Sequence, residues 1–258
     1  MEIPAYVARS EKESSRFGME VYRGNILSGH DEKVSKLVFD GIADLVILRT
    51  PISSIKNLVE IDARGLHWLV ADTLLYYTCD LKSYKPKERS NGSLDFTTAI
   101  ADDKKTVEAL VRKTFDGYKN HYMSNPYLHS NDILEGYVEW TLGFIDKKDK
   151  RCFVFSIDDD PIGFATVSTD KWSDEGELVL FGVVKDAFLK HKMTGIYADM
   201  VRAGQRWCVG NGCGSVITST QSWNKVRTVW EGEGFLFLKA VHTIHVYDEK
   251  RLLKKKFA

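Results

Sequence analysis

No stretch of the 258 residues approaches the ~18 consecutive apolar residues that a membrane-spanning helix needs. The segment after Met1 also lacks the apolar core of a secretory leader. The chain is therefore expected to work in the cytoplasm, without a membrane partner. Its four cysteines, Cys79, Cys152, Cys208 and Cys213, have no paired CxxC spacing, which argues against a disulfide framework or a zinc site and predicts reduced, buried thiols. The seven histidines stand mostly alone, so no metal is expected. Charge of one sign is lacking too: 36 basic and 36 acidic residues cancel. Such a balance offers nucleic acid no global field, and any anionic ligand must be held by a local site. Internal repeats and low-complexity tracts are missing as well.

What is present is ordinary globular usage, 43% hydrophobic and 28% charged residues, over a length that suits one large domain and one small. The polar stretch Lys82–Gly92, carrying Pro86 and Gly92 among its charges, reads as a linker. It predicts a small β-rich α/β domain over residues 1–92 and a larger domain over 93–258.

In the first part, apolar runs at Met19–Leu27, Leu45–Leu48 and Trp68–Leu81 read as strands. Helical spacing over Ile55–Ile61 separates the last two, which are then expected to pair in parallel. Beyond the linker a strand at Leu94–Ala101 precedes helices at Lys104–Phe115 and Ile133–Ile145. A hairpin follows, Cys152–Ile157 and Ile162–Thr169 around a turn at Asp158–Pro161, then a strand from Glu177 to Val184. Helical periodicity over Thr194–Val209 stops at Gly210-Asn211-Gly212 and gives way to a strand at Ser215–Thr220. A short helix at Asn224–Glu233 and strands around Phe235–Leu238 and Val241–Val246 complete the set. The fold class expected is α/β, an α+β mixed sheet flanked by helices.

Two segments carry recognisable chemistry. In the first, Glu177-Leu178-Val179-Leu180-Phe181-Gly182-Val183 runs on towards Lys190-His191-Lys192-Met193-Thr194-Gly195. A strand that ends in successive backbone N–H groups at a helix N-terminus binds a diphosphate, and Lys190 and Lys192 add charge. The plain alternative is an ordinary strand-to-helix turn. Gly182 is expected to mark a bulge where pairing with the next strand fails, or else a packing glycine. In the second segment, Thr220-Gln221-Ser222-Trp223-Asn224 leads to Trp230-Glu231-Gly232-Glu233-Gly234-Phe235.

Together these segments and the element order make residues 94–247 resemble the GNAT superfamily of N-acyltransferases. The resemblance implies acyl-coenzyme A as co-substrate, no metal, and a GNAT domain behind the smaller N-terminal one. The first segment then corresponds to the central strand and the Q/R-x-x-G-x-G/A loop. Val183, Val184, Lys190, His191, Lys192, Met193, Thr194, Gly195 and Ile196 become candidate coenzyme contacts, the amide of Val183 or Val184 facing the thioester oxygen. Lys190 stands where the family has Gln or Arg, and Met193 replaces its first glycine. The second segment corresponds to N-x-A-x-x-L-Y-E-x-x-G-F, with Asn224 a coenzyme contact and Trp230 at the place of the tyrosine that protonates the leaving thiolate. An indole N–H donates a hydrogen bond but yields no proton, so Trp230 is expected at most to stabilise the sulfur. A thiol of pKa ~8.5 leaves tolerably without an acid.

Glu177 matches the glutamate some members use as general base, since the amine must be deprotonated before it attacks. A surface carboxylate at a strand start is the plain reading. His121, His129, Asp174 and Glu175 are alternative bases. Further segments resemble the nucleotide-sugar N-acyltransferases of the dTDP-fucosamine acetyltransferase type: Ser15-Arg16-Phe17-Gly18, Leu45–Ser53, Val70–Leu74 and His121-Tyr122 with Asn125-Pro126. That resemblance implies a dTDP-linked amino sugar as acceptor, with His121, Tyr122, Asn125, Thr220 and Gln221 as candidate substrate contacts and a monomer or homodimer as the working form. Rival readings are a GNAT acting on a peptide or polyamine, and a non-catalytic acyl-coenzyme A-binding module.

Overall fold

The structure, a computed structural model, describes residues 7–25, 31–52, 65–87, 97–128, 130–170, 173–187 and 195–256. In chain order the elements are β1 (Val7–Arg9), α1 (Glu11–Phe17), β2 (Val21–Asn25), α2 (Asp31–Phe39), β3 (Leu45–Pro51), β4 (His67–Asp80), β5 (Thr97–Ile100) and α3 (Lys104–Phe115). After a 3₁₀ turn at His121–Ser124 come α4 (Ser130–Leu142), β6 (Lys150–Ile157), β7 (Asp160–Thr169), β8 (Glu175–Val183) and α5 (Ile196–Gly210). The chain ends in β9 (Ser215–Gln221), α6 (Arg227–Gly232), β10 (Leu236–Tyr247) and α7 (Glu249–Lys256). The fold is mixed α/β, as the periodicities predict. The helix expected at Ile55–Ile61 lies outside the described residues.

Packing divides the chain into two compact units that interleave in sequence: residues 1–75, 119–133 and 240–258 form one, and 76–118 with 134–239 the other. Position 92/93, where composition marks a boundary, falls inside the second unit's first segment. β4, α4 and β10 each have residues in both units. β10 is one strand where the apolar runs at 235–238 and 241–246 predicted two, because its side chains continue without a turn residue between them.

In the first unit the strand order is β1-β2-β3-β10-β4. β2 and β3 are parallel, from Val21↔Leu45 to Asn25↔Arg49, and β10 runs antiparallel to β3, from Val241↔Pro51 to Tyr247↔Leu45. The expected parallel pairing of β3 with β4 is therefore corrected: β10 stands between them. A strand from the far end of the chain cannot be anticipated from a local strand-helix-strand pattern. Val34, Leu37, Val46, Leu48, Ile244 and Val246 form the core beneath α2.

In the second unit the order is β4-β9-β8-β7-β6-β5. The β6–β7 hairpin turns on Asp158 (φ 48°) and Asp159 (φ 63°) between the opposed residues Ile157 and Asp160, a two-residue turn of the mirror-image kind that Asp tolerates. β7 is buried from Ile162 to Val167, as befits a strand covered on both faces. α3 covers one face. Its N-cap Asp103 accepts the amides of Lys105 (2.9 Å) and Thr106 (3.2 Å), satisfying donors that the first turn leaves without partners. Val107, Leu110, Val111 and Phe115 recur at helical spacing to pack on Phe164 and Leu180. α5 covers the other face closely enough that a Cβ on Gly204 would come within 2.6 Å of Leu178.

Candidate functional site

The site is built from the failure of one pairing. β8 and β9 run parallel and are paired from Glu175↔Ser215 to Leu178↔Thr218, yet β8 continues to Val183 and β9 to Gln221. Past Leu178 and Thr218 the two strands leave a gap. The Thr218 hydroxyl donates to the Leu178 carbonyl at 2.9 Å, closing the last rung with a side chain where no further ladder bond follows.

A second irregularity produces the first. Along β7 and β8, Thr166 opposes Leu180 while Val167 opposes Leu178, so Val179 is an extra residue and forms a bulge. The Thr166 hydroxyl takes up the interrupted bonding, accepting the Leu180 amide at 2.9 Å. The bulge turns β8 over: Leu178 packs under α5 while Leu180 joins the α3 cluster, although an unbroken strand would place both on one face. The bulge expected at Gly182 thus lies three residues earlier. Gly182 is instead a packing residue, since a Cβ there would meet Thr114 at 2.4 Å and Phe164 at 2.9 Å. Gly182→Ala should cost about 1–3 kcal/mol of stability through overpacking, measured as a shift of the urea midpoint.

Backbone alternation decides which amides face the gap. The Val184 N–H donates to the Ile162 carbonyl at 2.9 Å, so Val184 is corrected as a free donor: its amide is used by β7. Groups in an antiparallel pair alternate between facing the partner and facing away. With Gly163 opposite Val183 and Ala165 opposite Phe181, the amides of Val183 and Phe181 point away from β7, to the side of β9.

Beyond β8, residues 188–194 lie outside the described residues, and with them Lys190, His191, Lys192, Met193 and Thr194. The far side of that segment is described. Gly195 has φ 90° and precedes α5 with no side-chain cap. Only glycine adopts that angle without strain, and the space where its Cβ would stand is open. The amides of the first turn, from Ile196 onward, have no intrahelical acceptor.

Glu177 lies half-buried on β8. Burial first, then the neighbouring Glu175 charge, push its carboxyl above the usual range, while Lys150 pulls it partly back. Of the alternative bases, Asp174 is tied to Lys82 Nζ at 2.6 Å and held below the ordinary range by that bond. His129 lies outside the described residues.

Trp230 is 3% exposed, packed edge-on against Tyr77 with ring centroids 5.7 Å apart. A second ring, Phe235, lies 6.4 Å from it, so Trp230 is packed between aromatic side chains. Asn224 caps the approach to α6, accepting the Val226 amide at 3.1 Å, and extends Nδ2 to the Tyr118 hydroxyl at 3.4 Å. Tyr118 in turn donates to Gln221 Oε1 at 2.7 Å. Thr220 is buried.

His121, Tyr122 and Asn125 come together, but with one another inside the first unit. His121 Nδ1 lies 3.0 Å from His245 Nε2, and Asn125 Nδ2 lies 3.2 Å from His245 Nδ1. The Tyr122 hydroxyl donates to Glu13, which also receives Arg23 at 3.1 Å. Burial pushes His245 down to about 3 and His121 well below its usual value, so the pair is neutral. No group of three or more His, Cys, Asp or Glu able to hold a metal occurs among the described residues. No helix among them is long and apolar enough to cross a membrane.

No protein-family model and no curated protein matches the sequence. Solved structures do match. A conserved protein of unknown function from Staphylococcus epidermidis superposes with a TM-score of 0.62 at 12% identity, over 93% of this chain and 89% of that one. A GCN5-related N-acetyltransferase from Sphaerobacter thermophilus gives 0.59 at 12% identity, over 93% and 74%. A fungal GCN5-related glucosamine N-acetyltransferase region of a multidomain β-N-acetylglucosaminidase gives 0.58 at 13% identity, over 93% of this chain and 30% of that one. The chain has the GNAT fold.

Glu177 and Val183 lie on β8, Gly195 and Ile196 at the start of α5, and Gln221 and Asn224 at the end of β9 and just beyond it, all within the second unit. Sequence reasoning missed two further residues there. Phe181 was hidden because its backbone, not its side chain, faces the gap. Tyr118 was hidden because it follows α3 by three residues and meets Gln221 only in three dimensions. The local signal for Tyr118 was its place after Gly117 (φ 66°), where the helix has ended and the chain turns.

Proposed function

We propose that the chain transfers a short acyl group from acyl-coenzyme A to a primary amine. The observation that carries this reading is the gap past Leu178↔Thr218, open along β8 at the Phe181 and Val183 backbone and leading towards the uncapped start of α5 at Gly195. Pantetheine has two amides that need partners, and a strand edge released from its neighbour supplies them. A diphosphate at the α5 terminus would place the pantetheine arm pointing back down the gap, so the thioester lies nearer the last rung than Val183 does.

Reach assigns the oxyanion donor. At ~3.3 Å per residue, Val183 stands roughly 20 Å along β8 from Glu177 and Phe181 roughly 13 Å. The Phe181 amide is the better placed of the two to stabilise the oxyanion, and Val183 pairs with pantetheine instead. Glu177, with its carboxyl raised by burial, takes the amine's proton directly or through a water. The amine then attacks the carbonyl carbon in a ternary complex.

The finer reading is an acceptor amine on a dTDP-linked aminodideoxy sugar and an acyl group such as acetyl or 3-hydroxybutanoyl, for surface polysaccharide synthesis. Its support is the sequence resemblance around His121-Tyr122 and Asn125-Pro126, and the fact that the fungal structural neighbour is named for acetylating an amino sugar. A thiol-release assay with acetyl-CoA and 3-hydroxybutanoyl-CoA against dTDP-amino sugars, free amino sugars, peptides and polyamines tests both levels. Turnover with dTDP-amino sugars alone supports the finer reading. Turnover confined to peptides or polyamines removes it and keeps acyl transfer. Coenzyme binding with no turnover on any amine points to a binding module.

A further inference from the structure

Acyl transfer leaves one proton to be assigned. Breaking the C–S bond sends its electron pair to sulfur, and Trp230, buried at 3% exposure, has no proton to release. The thiolate can leave without an acid, and a side chain that speeds the step by protonating it has to stand at the height of the thioester. Three residues past the last rung on each strand are Phe181 on β8 and Gln221 on β9. At ~3.3 Å per residue both stand roughly 10 Å beyond it, on opposite sides of the gap.

At that height Gln221 carries a phenol. Tyr118 Oη donates to Gln221 Oε1 at 2.7 Å and receives Asn224 Nδ2 at 3.4 Å. Its ring is held by Phe115, Tyr137 and Trp223, with centroids 5.1, 6.0 and 5.8 Å away. The ring is half-buried rather than sealed, so water can return a proton to it. Tyr197, whose ring lies 5.9 Å from Phe181, has its hydroxyl pKa pushed up by burial first and then by the neighbouring Tyr118.

We propose, resting on the acyl-transfer reading above, that Tyr118 donates the proton that turns the departing thiolate into the thiol. The amine nitrogen forms its bond to the carbonyl carbon as the carbonyl π pair moves to oxygen. Return of that pair expels sulfur with the C–S electrons. The Tyr118 hydroxyl proton goes to sulfur, and the tyrosinate, receiving the Asn224 N–H, takes a proton back from water. The proton lost by the amine leaves through Glu177 to water, so amine and thioester become amide and thiol with nothing left over.

The test is Tyr118→Phe in the full chain, which keeps the ring contacts, assayed with acetyl-CoA and the best amine found for the wild type. The expected result is a fall in kcat of about 10- to 100-fold, loss of the alkaline limb of the kcat–pH profile, and an unchanged dissociation constant for acetyl-CoA and melting temperature. An unchanged kcat overturns the proposal, as does a fall in kcat with the alkaline limb intact, or loss of that limb in Tyr197→Phe instead. Each of these leaves acyl transfer standing. A wild type that binds acetyl-CoA but releases no thiol with any amine removes the transfer reading and this proposal together.

Discussion

Glu177→Gln is expected to lower kcat on the order of 100-fold at neutral pH, the scale of a lost general base, while leaving acyl-CoA binding intact. The direction of its pH dependence follows from the cause of the shift. Burial and Glu175 raise the Glu177 carboxyl, and the base works only when ionised. The wild-type rate should therefore rise with pH through a limb above the ordinary carboxylate range, and the Gln variant should lack that limb.

The same substitution has a stability signature of opposite sign. A carboxyl whose folded pKa exceeds its unfolded value contributes stability below the unfolded pKa and loses it as pH rises through the folded one. Above that window the wild type holds an ionised, half-buried carboxylate that Gln does not. The melting temperature of Glu177→Gln should accordingly exceed that of the wild type near pH 8, and the difference should vanish or reverse near pH 4. A variant with full activity and no such crossover would leave Glu177 as a strand residue only.

Arg202→Met should lower the unfolding free energy by about 3–5 kcal/mol, the cost of breaking a buried ion pair by removing one partner. Arg202 is 6% exposed, and Glu233 and Asp199 are 4% and 3% exposed. Its Nε and Nη2 meet the two Glu233 oxygens at 2.8 and 2.6 Å, and Nη1 meets Asp199 at 2.8 Å. Deleting the guanidinium strands two buried carboxylates at once. Arg202→Lys keeps the charge but loses the two-pronged geometry, so its loss should fall between wild type and Met. Urea unfolding measures both.

On the acyl-transfer reading proposed above, the network also predicts a functional coupling. Glu233 follows α6, and its backbone carbonyl receives Gln205 Nε2 from α5 at 2.9 Å. The helix that begins at Gly195 and the helix approached through Asn224 are thus locked to each other by one buried arginine and its neighbours. Arg202→Met should weaken acyl-CoA binding as well as stability, though it lies within neither the gap nor the helix terminus.

Several features were legible because the forces that make them are local. The apolar residues of α3 recur every three or four positions behind a capping Asp103, so the helix at Lys104–Phe115 is predicted and found at the same limits. The hairpin follows from alternation on either side of Asp158-Asp159. The strand that carries Glu177 and the helix after Gly195 were visible because alternation gives way to helical periodicity along the chain.

What stayed hidden depends on contacts between residues far apart in sequence. The insertion of β10 beside β3 pairs Val241–Tyr247 with Leu45–Pro51, a partnership with no local trace. The bulge at Val179 rather than Gly182 is set by how Thr166 satisfies Leu180 across the sheet. The burial of His121 and Asn125 around His245 was invisible because side chains separated by 124 and 120 residues complete one another's hydrogen bonds there.

By itself, then, the sequence determined most of the periodic elements between residues 94 and 233 and their order, since propensity and alternation act over a few neighbouring residues. Only tertiary structure decided where β8 parts from β9, which backbone amides face that gap, and which tyrosine stands beside it. Those outcomes are settled by the closing of hydrogen bonds and the filling of volume among distant segments, quantities that no local stretch of residues contains.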